Sequence, residues 1–125
     1  RMVPVLRDAD KKGMLQIRQE MGDLAKKARD GNLGPADMTG GGFSSTSLGH
    51  IGGTAFTPII NAPDVAILGA TAIQLRPAPG DDGAVIWRKK LPLTLSYDHR
   101  LINGADAARF VKAIEGVLGS SALFA

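Results

Sequence analysis

Leu91-Pro92-Leu93-Thr94-Leu95-Ser96-Tyr97-Asp98-His99-Arg100-Leu101-Ile102-Asn103-Gly104-Ala105-Asp106-Ala107-Ala108-Arg109-Phe110 is the stretch whose reading decides the fold. Leu91, Leu93, Leu95 and Tyr97 alternate with Pro92, Thr94, Ser96 and Asp98, the period of two that a strand with unlike faces produces. From Ala107 the period lengthens. Ala107, Phe110, Val111, Ile114, Val117 and Leu118 recur every three or four residues and predict the buried stripe of a helix. His99 therefore lies on a polar connection held at both ends by packed elements, where a side chain can be aimed at a substrate. Two readings of it are open. In one, Asn103 is the N-cap of the last helix, Asp106 completes the cap, and His99 is a surface histidine in a turn. In the other, His99 is an acid–base group.

Outward from this stretch, Val65 to Ile73 is nearly all apolar or small, the mark of a strand buried on both faces. Pro77-Ala78-Pro79-Gly80-Asp81-Asp82-Gly83 turns the chain, and Ala84 to Lys90 returns it as a strand, so Val65 to Tyr97 should form adjacent strands of one sheet. Arg88-Lys89-Lys90 reads as a solvated edge that discourages further pairing. Before it, Phe43 to Leu48 reads as a strand, with Ser44, Thr46 and Leu48 on one face and Phe43, Ser45 and Ser47 on the other. Gly49-His50-Ile51-Gly52-Gly53-Thr54 lacks the Gly-Lys-Ser/Thr ending of a phosphate loop and is a connection, with His50 structural or exposed. Near the start, Val3 to Leu6 reads as a strand fragment. Met14, Ile17, Met21, Leu24, Ala25 and Ala28 mark the buried stripe of a helix that Gly31 stops, and Leu33 to Met38 is a turn or a single helical turn. Residues 119–125 form a tail in which Leu123 and Phe124 need cover.

The length of 125 residues allows one modest core. A hydrophobic fraction of 44% and a charged fraction of 22% are those of a globular domain. The net charge of +3 suits an anionic ligand, but no Lys/Arg block is interleaved with aromatics, so nucleic acid is not an expected partner. With no cysteine, disulfides, thiolate catalysis and cysteine-ligated zinc are excluded; no metal is expected. The uncharged run from residue 38 to 63 is broken by six glycines and two prolines and is not a membrane span.

The order Asp98-His99-Arg100, Asn103-Gly104-Ala105, Ala108-Arg109-Phe110 resembles the signature of the dihydrolipoamide acyltransferases, the core subunits of 2-oxo acid dehydrogenase complexes. These share the fold of chloramphenicol acetyltransferase. Gly40 to Gly49 and Phe56 to Gly69 are similar to the same family in the same order, and the similarity runs from about Val3 to about Leu118. The resemblance implies an α/β two-layer sandwich, a mixed sheet with helices on one face. Because the family's catalytic domain extends well before the place where Met2 to Leu6 aligns, residues 1–118 should represent only its C-terminal half, with a beginning missing.

That resemblance also implies a chemistry. Acyl transfer between thiols needs a base, since an unperturbed thiol with a pKa of roughly 8.5 is mostly protonated at neutral pH and imidazole can take its proton. By resemblance His99 is that base, Asn103 fixes the loop around it through its amide, and Ser47 donates its hydroxyl to the tetrahedral oxyanion. Ile60 and Asn61 are implied at the cofactor-binding segment. The substrates implied are coenzyme A and a lipoyl group carried on a separate domain, with acetyl as the acyl group. The partners implied are a homotrimer with His and Ser from different chains, assembled into a larger core, together with lipoyl domains and the decarboxylase and dihydrolipoamide dehydrogenase components. The compartment implied is the bacterial cytoplasm, or the mitochondrial matrix in a eukaryote. Two other readings stand beside this one: an inactive core fragment or assembly module, and a small-molecule acetyltransferase with a hydroxyl acceptor.

Overall fold

A computed structural model describes residues 2–49 and 51–120, so His50, Leu123 and Phe124 lie outside the described residues. The chain divides after Gly42 into two compact units.

The first unit is built on helix α1, Met14–Arg29. Lys26, Lys27 and Arg29 occupy its last turn, where positive charge complements the helix dipole. Its end is closed by Gly31 at φ 72°, whose N–H donates to Ala28 O while the Asn32 N–H reaches back to Lys27 O. That pair of bonds satisfies carbonyls the helix itself leaves open, and the left-handed residue between them must tolerate a positive φ, which glycine does at no steric cost. Pro35–Asp37 forms a short 3-10 turn, as the reading of Leu33 to Met38 anticipates. Lys27 Nζ lies 3.1 Å from an Asp37 carboxylate oxygen.

Two expectations for this unit are corrected. Val3 to Leu6 makes no strand: Pro4 has no N–H to offer, and the Val5 N–H goes instead to Asp37 O at 2.8 Å. The stripe of α1 is only partly covered. Ile17, Leu24 and Ala28 are half-buried, whereas Met14, Met21 and Ala25 are exposed.

The second unit contains strands β1 (Ser44–Ser47), β2 (Ala66–Ala70), β3 (Gln74–Pro79), β4 (Val85–Lys90) and β5 (Leu93–Tyr97), then helix α2 (Gly104–Leu118). The sheet order is β1-β2-β5, with β1 parallel and β5 antiparallel to β2. Ala66 and Ile67 of the central strand are buried on opposite faces, as its continuous apolar run requires. Ala107 of α2 is buried as well, Val111 and Ile114 are half-buried, and Phe110 meets Phe43 edge-on at 5.8 Å between centroids. The opposite face is crossed by residues 54–58: Ser96 Oγ donates to Pro58 O at 2.8 Å, and Thr71 Oγ1 to Thr54 O at 3.5 Å. Phe110, Val117 and Leu118, expected on the buried stripe of α2, remain substantially exposed because the helix overlies a narrow three-stranded sheet.

A further expectation is corrected here. β3 and β4 do not join β2 and β5 in one sheet but pair only with each other, from Gln74↔Lys90 to Pro79↔Val85. The ladder between β2 and β5 ends where the Thr71 N–H donates to Pro92 O at 3.3 Å, and the hairpin leaves the sheet from that point. Pro77 and Pro79, read as turn residues, belong to β3. A two-stranded ribbon has free edges on both sides, which spare a proline its missing donor.

Gly69 marks the tightest packing on the crossed face. A Cβ built there would lie 2.8 Å from Phe56 Cζ and 3.2 Å from Pro58 Cγ. Gly69→Val should therefore destabilise the second unit by about 1–3 kcal/mol, the usual cost of forcing volume into a filled site. A urea unfolding midpoint lower than wild type, read on the full-length chain, checks this.

Candidate active site

β5 and α2 are joined by a corner whose bonds converge on Asp98. The Asp98 N–H donates to Val65 O at 2.8 Å, extending the ladder one step past Ala66↔Tyr97. Asp98 O accepts the N–H groups of Leu101 and Ile102 at 3.0 and 2.9 Å. Its carboxylate accepts the Arg100 N–H at 3.0 Å, closing an Asx-turn across His99, and is gripped by the Arg100 guanidinium through Nε at 3.0 Å and Nη2 at 2.8 Å. The side-chain and backbone hydrogen bonds from Arg100 hold the Asp98 carboxyl down to about 2, and the same pairing raises the guanidinium further.

His99 is exposed at the apex of this corner. Its ring lies 5.7 Å from the Tyr97 ring, tilted by 36°. Tyr97 in turn fills the space beside Gly104, where a Cβ would sit 3.5 Å from the phenol oxygen. Asn103 is the N-cap of α2: its Oδ1 accepts the Asp106 N–H at 2.8 Å and its Nδ2 donates to the Asp106 carboxylate at 2.8 Å. The capping reading of Asn103 is thus realised, with both amide atoms turned to Asp106.

Other expected site residues divide between the two ends of the sheet. Continuing the antiparallel register brings Asp64 level with His99. The Asp64 N–H donates to Asn61 O at 2.9 Å in a turn containing the cis Ala62–Pro63 peptide, so half-buried Ile60 and exposed Asn61 precede β2 at the His99 end. At that end too, Ser44 Oγ donates to Asp64 Oδ2 at 2.6 Å. Ser47 is elsewhere. It pairs with Ala70, level with Leu93, and is exposed. Four residues of rise at roughly 3.3 Å and two strand spacings of about 4.8 Å put its backbone on the order of 16 Å from Tyr97. One copy of the fold does not bring Ser47 and His99 together.

Sequence reasoning missed Asp98 and Arg100 as a unit. The signal was present as an Asp followed two residues later by a donor, the spacing of an Asx-turn, but the alternation of β5 assigned Asp98 only to a polar face. Among the described residues no group of three His, Asp or Glu side chains is arranged to hold a metal ion. No helix among them is long and apolar enough to cross a membrane.

Residues 2–124 match the family model of the 2-oxoacid dehydrogenases acyltransferase catalytic domain. The chain belongs to this family. It is 59% identical over 109 residues to the dihydrolipoyllysine-residue acetyltransferase component of the pyruvate dehydrogenase complex of Cupriavidus necator, covering 87% of this chain and 20% of that protein. To the corresponding Azotobacter vinelandii component it is 54% identical, covering 94% of this chain and 18% of that one. Among solved structures, Azotobacter vinelandii dihydrolipoamide acetyltransferase superposes with a TM-score of 0.92 at 50% identity, over 99% of this chain and 51% of that one. The cubic core of a pyruvate dehydrogenase multienzyme complex gives the same TM-score of 0.92 at 51% identity, likewise over 51% of its chain. The expected α/β acetyltransferase fold is thereby established. The chain spans about a fifth of the length of these curated relatives and half that of the solved domains.

Two outcomes follow from this corner. The Asp98 carboxylate, held below the ordinary carboxyl range near 3.9, makes a contribution to stability that solvent screening at the exposed Arg100 keeps small, fully present above about pH 4 and lost as pH falls through about 2. Carbon NMR of the Asp98 carboxyl should give a midpoint near pH 2, and Arg100→Gln should return it toward the ordinary range. Asn103→Ala should cost about 1 kcal/mol by removing the cap, read as a lower thermal midpoint.

Proposed function

We propose that this chain carries part of the active site of an acetyltransferase that moves an acetyl group between dihydrolipoamide and coenzyme A in the core of a pyruvate dehydrogenase complex. The observation that carries the reading is the presentation of His99: an exposed imidazole on a corner braced from both elements, in a chain about half identical to acetyltransferase cores. The mechanism studied in the Azotobacter vinelandii enzyme involves a serine, a histidine and an asparagine, and Ser47, His99 and Asn103 have the same spacing along this chain.

His99 takes the proton of the attacking thiol, and the thiolate adds to the thioester carbonyl. The tetrahedral oxyanion accepts a hydrogen bond from the Ser47 hydroxyl of a neighbouring copy. Collapse breaks the original carbon–sulfur bond, and the departing thiolate takes the proton back from the imidazolium. Asn103 holds the first turn of α2, and with it the distal side of the His99 corner. The Ile60–Asn61 segment lies on the same side as His99 and is assigned to substrate binding.

The sheet register supports a site between copies, since Ser47 and His99 occupy opposite ends of it. We assign a homotrimer, built into a larger core that receives lipoyl domains and the decarboxylase and dihydrolipoamide dehydrogenase components. The bacterial relatives support the cytoplasm as its compartment. A second reading, an assembly module without turnover, is favoured by apolar side chains left outside: Ile59 is 84% and Trp87 67% exposed.

Acetyl-coenzyme A and dihydrolipoamide with the full-length chain separate these. His99→Ala should lower kcat by about 10²–10⁴-fold and Ser47→Ala by about 10²–10³-fold, each followed by thiol release. Co-assembly of equal amounts of the two variants should restore about a quarter of the wild-type rate, because each site then draws His and Ser from different copies. A folded wild-type assembly with no transfer leaves the module reading.

A further inference from the structure

We propose that Asp98 is a positioning residue for His99, holding the backbone on both sides of the imidazole through its own peptide group, its carboxylate and the Arg100 guanidinium. This rests on His99 being the base assigned above.

Three sets of bonds meet at Asp98 from different directions. Its N–H ties it to Val65 of the central strand, its C=O gathers the amides of Leu101 and Ile102, and its carboxylate gathers the amide and guanidinium of Arg100. His99 is the residue enclosed between them. Its ring is also flanked by Tyr97 from the preceding side. Backbone freedom at position 99 is thereby removed while the side chain stays open to solvent, which is the combination a base needs if it is to meet a thiol at a fixed distance.

The pair is poorly placed to serve stability. The Arg100 side chain is 88% exposed, and an ion pair in that setting contributes little to folding. The Asp98 side chain, in contrast, is only 21% exposed and sits at the foot of the turn. The two-pronged grip needs a planar fork, so lysine at position 100 would keep the charge and lose the geometry. What the clasp determines is local: where residue 99 sits relative to the end of β5 and the start of α2.

The test uses the assembled full-length chain with acetyl-coenzyme A and dihydrolipoamide. Asp98→Ala should lower kcat about 100-fold, the cost of displacing a reacting group by about 1 Å, with KM for both substrates unchanged. Asp98→Asn keeps an oxygen to accept the Arg100 amide and should recover most of that loss. Arg100→Gln, at an exposed position that does not endanger folding, should lose less than Asp98→Ala. Amide hydrogen exchange gives a reading independent of turnover: in Asp98→Ala the Arg100 amide should lose protection while the β5 amides keep theirs. A rise in KM at unchanged kcat, an Asp98→Asn variant no better than Asp98→Ala, or unaltered exchange at Arg100 would each overturn the proposal. His99→Ala measured alongside separates the two claims. If it retains the wild-type kcat, the assignment of the base fails; if it is inactive while Asp98→Ala turns over normally, only the positioning role fails.

Discussion

Strand β2 is paired in opposite senses on its two sides, and the rest of the second unit depends on that asymmetry. Because β1 runs parallel to β2, its C-terminal residue Ser47 finishes beside Ala70. Because β5 runs antiparallel, its C-terminal residue Tyr97 finishes beside Ala66, with His99 just beyond. Ser47, which ends one strand, and His99, which follows the end of another, are thereby sent to opposite ends of one sheet. In the proposed site between copies, closed symmetry would bring them together, since a rotation that carries one copy onto the next can set the Ser47 end of one against the His99 end of another.

At the His99 end the fold uses short polar connections where a packed core is lacking. Among the described residues the buried hydrophobic side chains are Ala66, Ile67 and Ala107, all small or medium in size. The corner therefore gets its definition from hydrogen bonds. The Asx-turn at Asp98, the cap at Asn103 and the bond from Asp64 to Asn61 each close a few residues of backbone. Each is local in sequence, so none depends on distant packing to find its partner.

That locality explains what could be read in advance. The strand at Leu93 to Tyr97, the buried centre of the Val65 to Ile73 run, the stop at Gly31 and the Asn103–Asp106 cap are encoded within a few residues of each other and form as read, although the five residues of β5 are all half-buried with no division into unlike faces and Val65 and Ile73 are exposed. The partners of strands are not encoded that way. Alternation identified β4 as a strand but could not say that it would pair only with β3, and Pro77 and Pro79 looked like turn residues because a free-edged ribbon was not foreseen. Val3 to Leu6 reads as a strand because nothing local shows that the Val5 N–H goes to a 3-10 turn far along the chain. At the site, residue types left His99 and Asn103 open between a capped turn and an acid–base role, and only the resemblance to the acyltransferases singled out Ser47; the distance between Ser47 and His99 depends on the relative sense of two ladders, which no single stretch contains.

The hairpin has a bearing on how such a sheet can vary. The bond between Thr71 and Pro92 seals the β2–β5 ladder at its base, so everything from Ala72 to Leu91 hangs outside the register that fixes His99. Residues can be added to or removed from that ribbon in pairs without moving the corner by one position. The fold thus separates a part whose reach and surface are free to drift from a part whose geometry is not, and a lineage can reshape the first while the second stays in place.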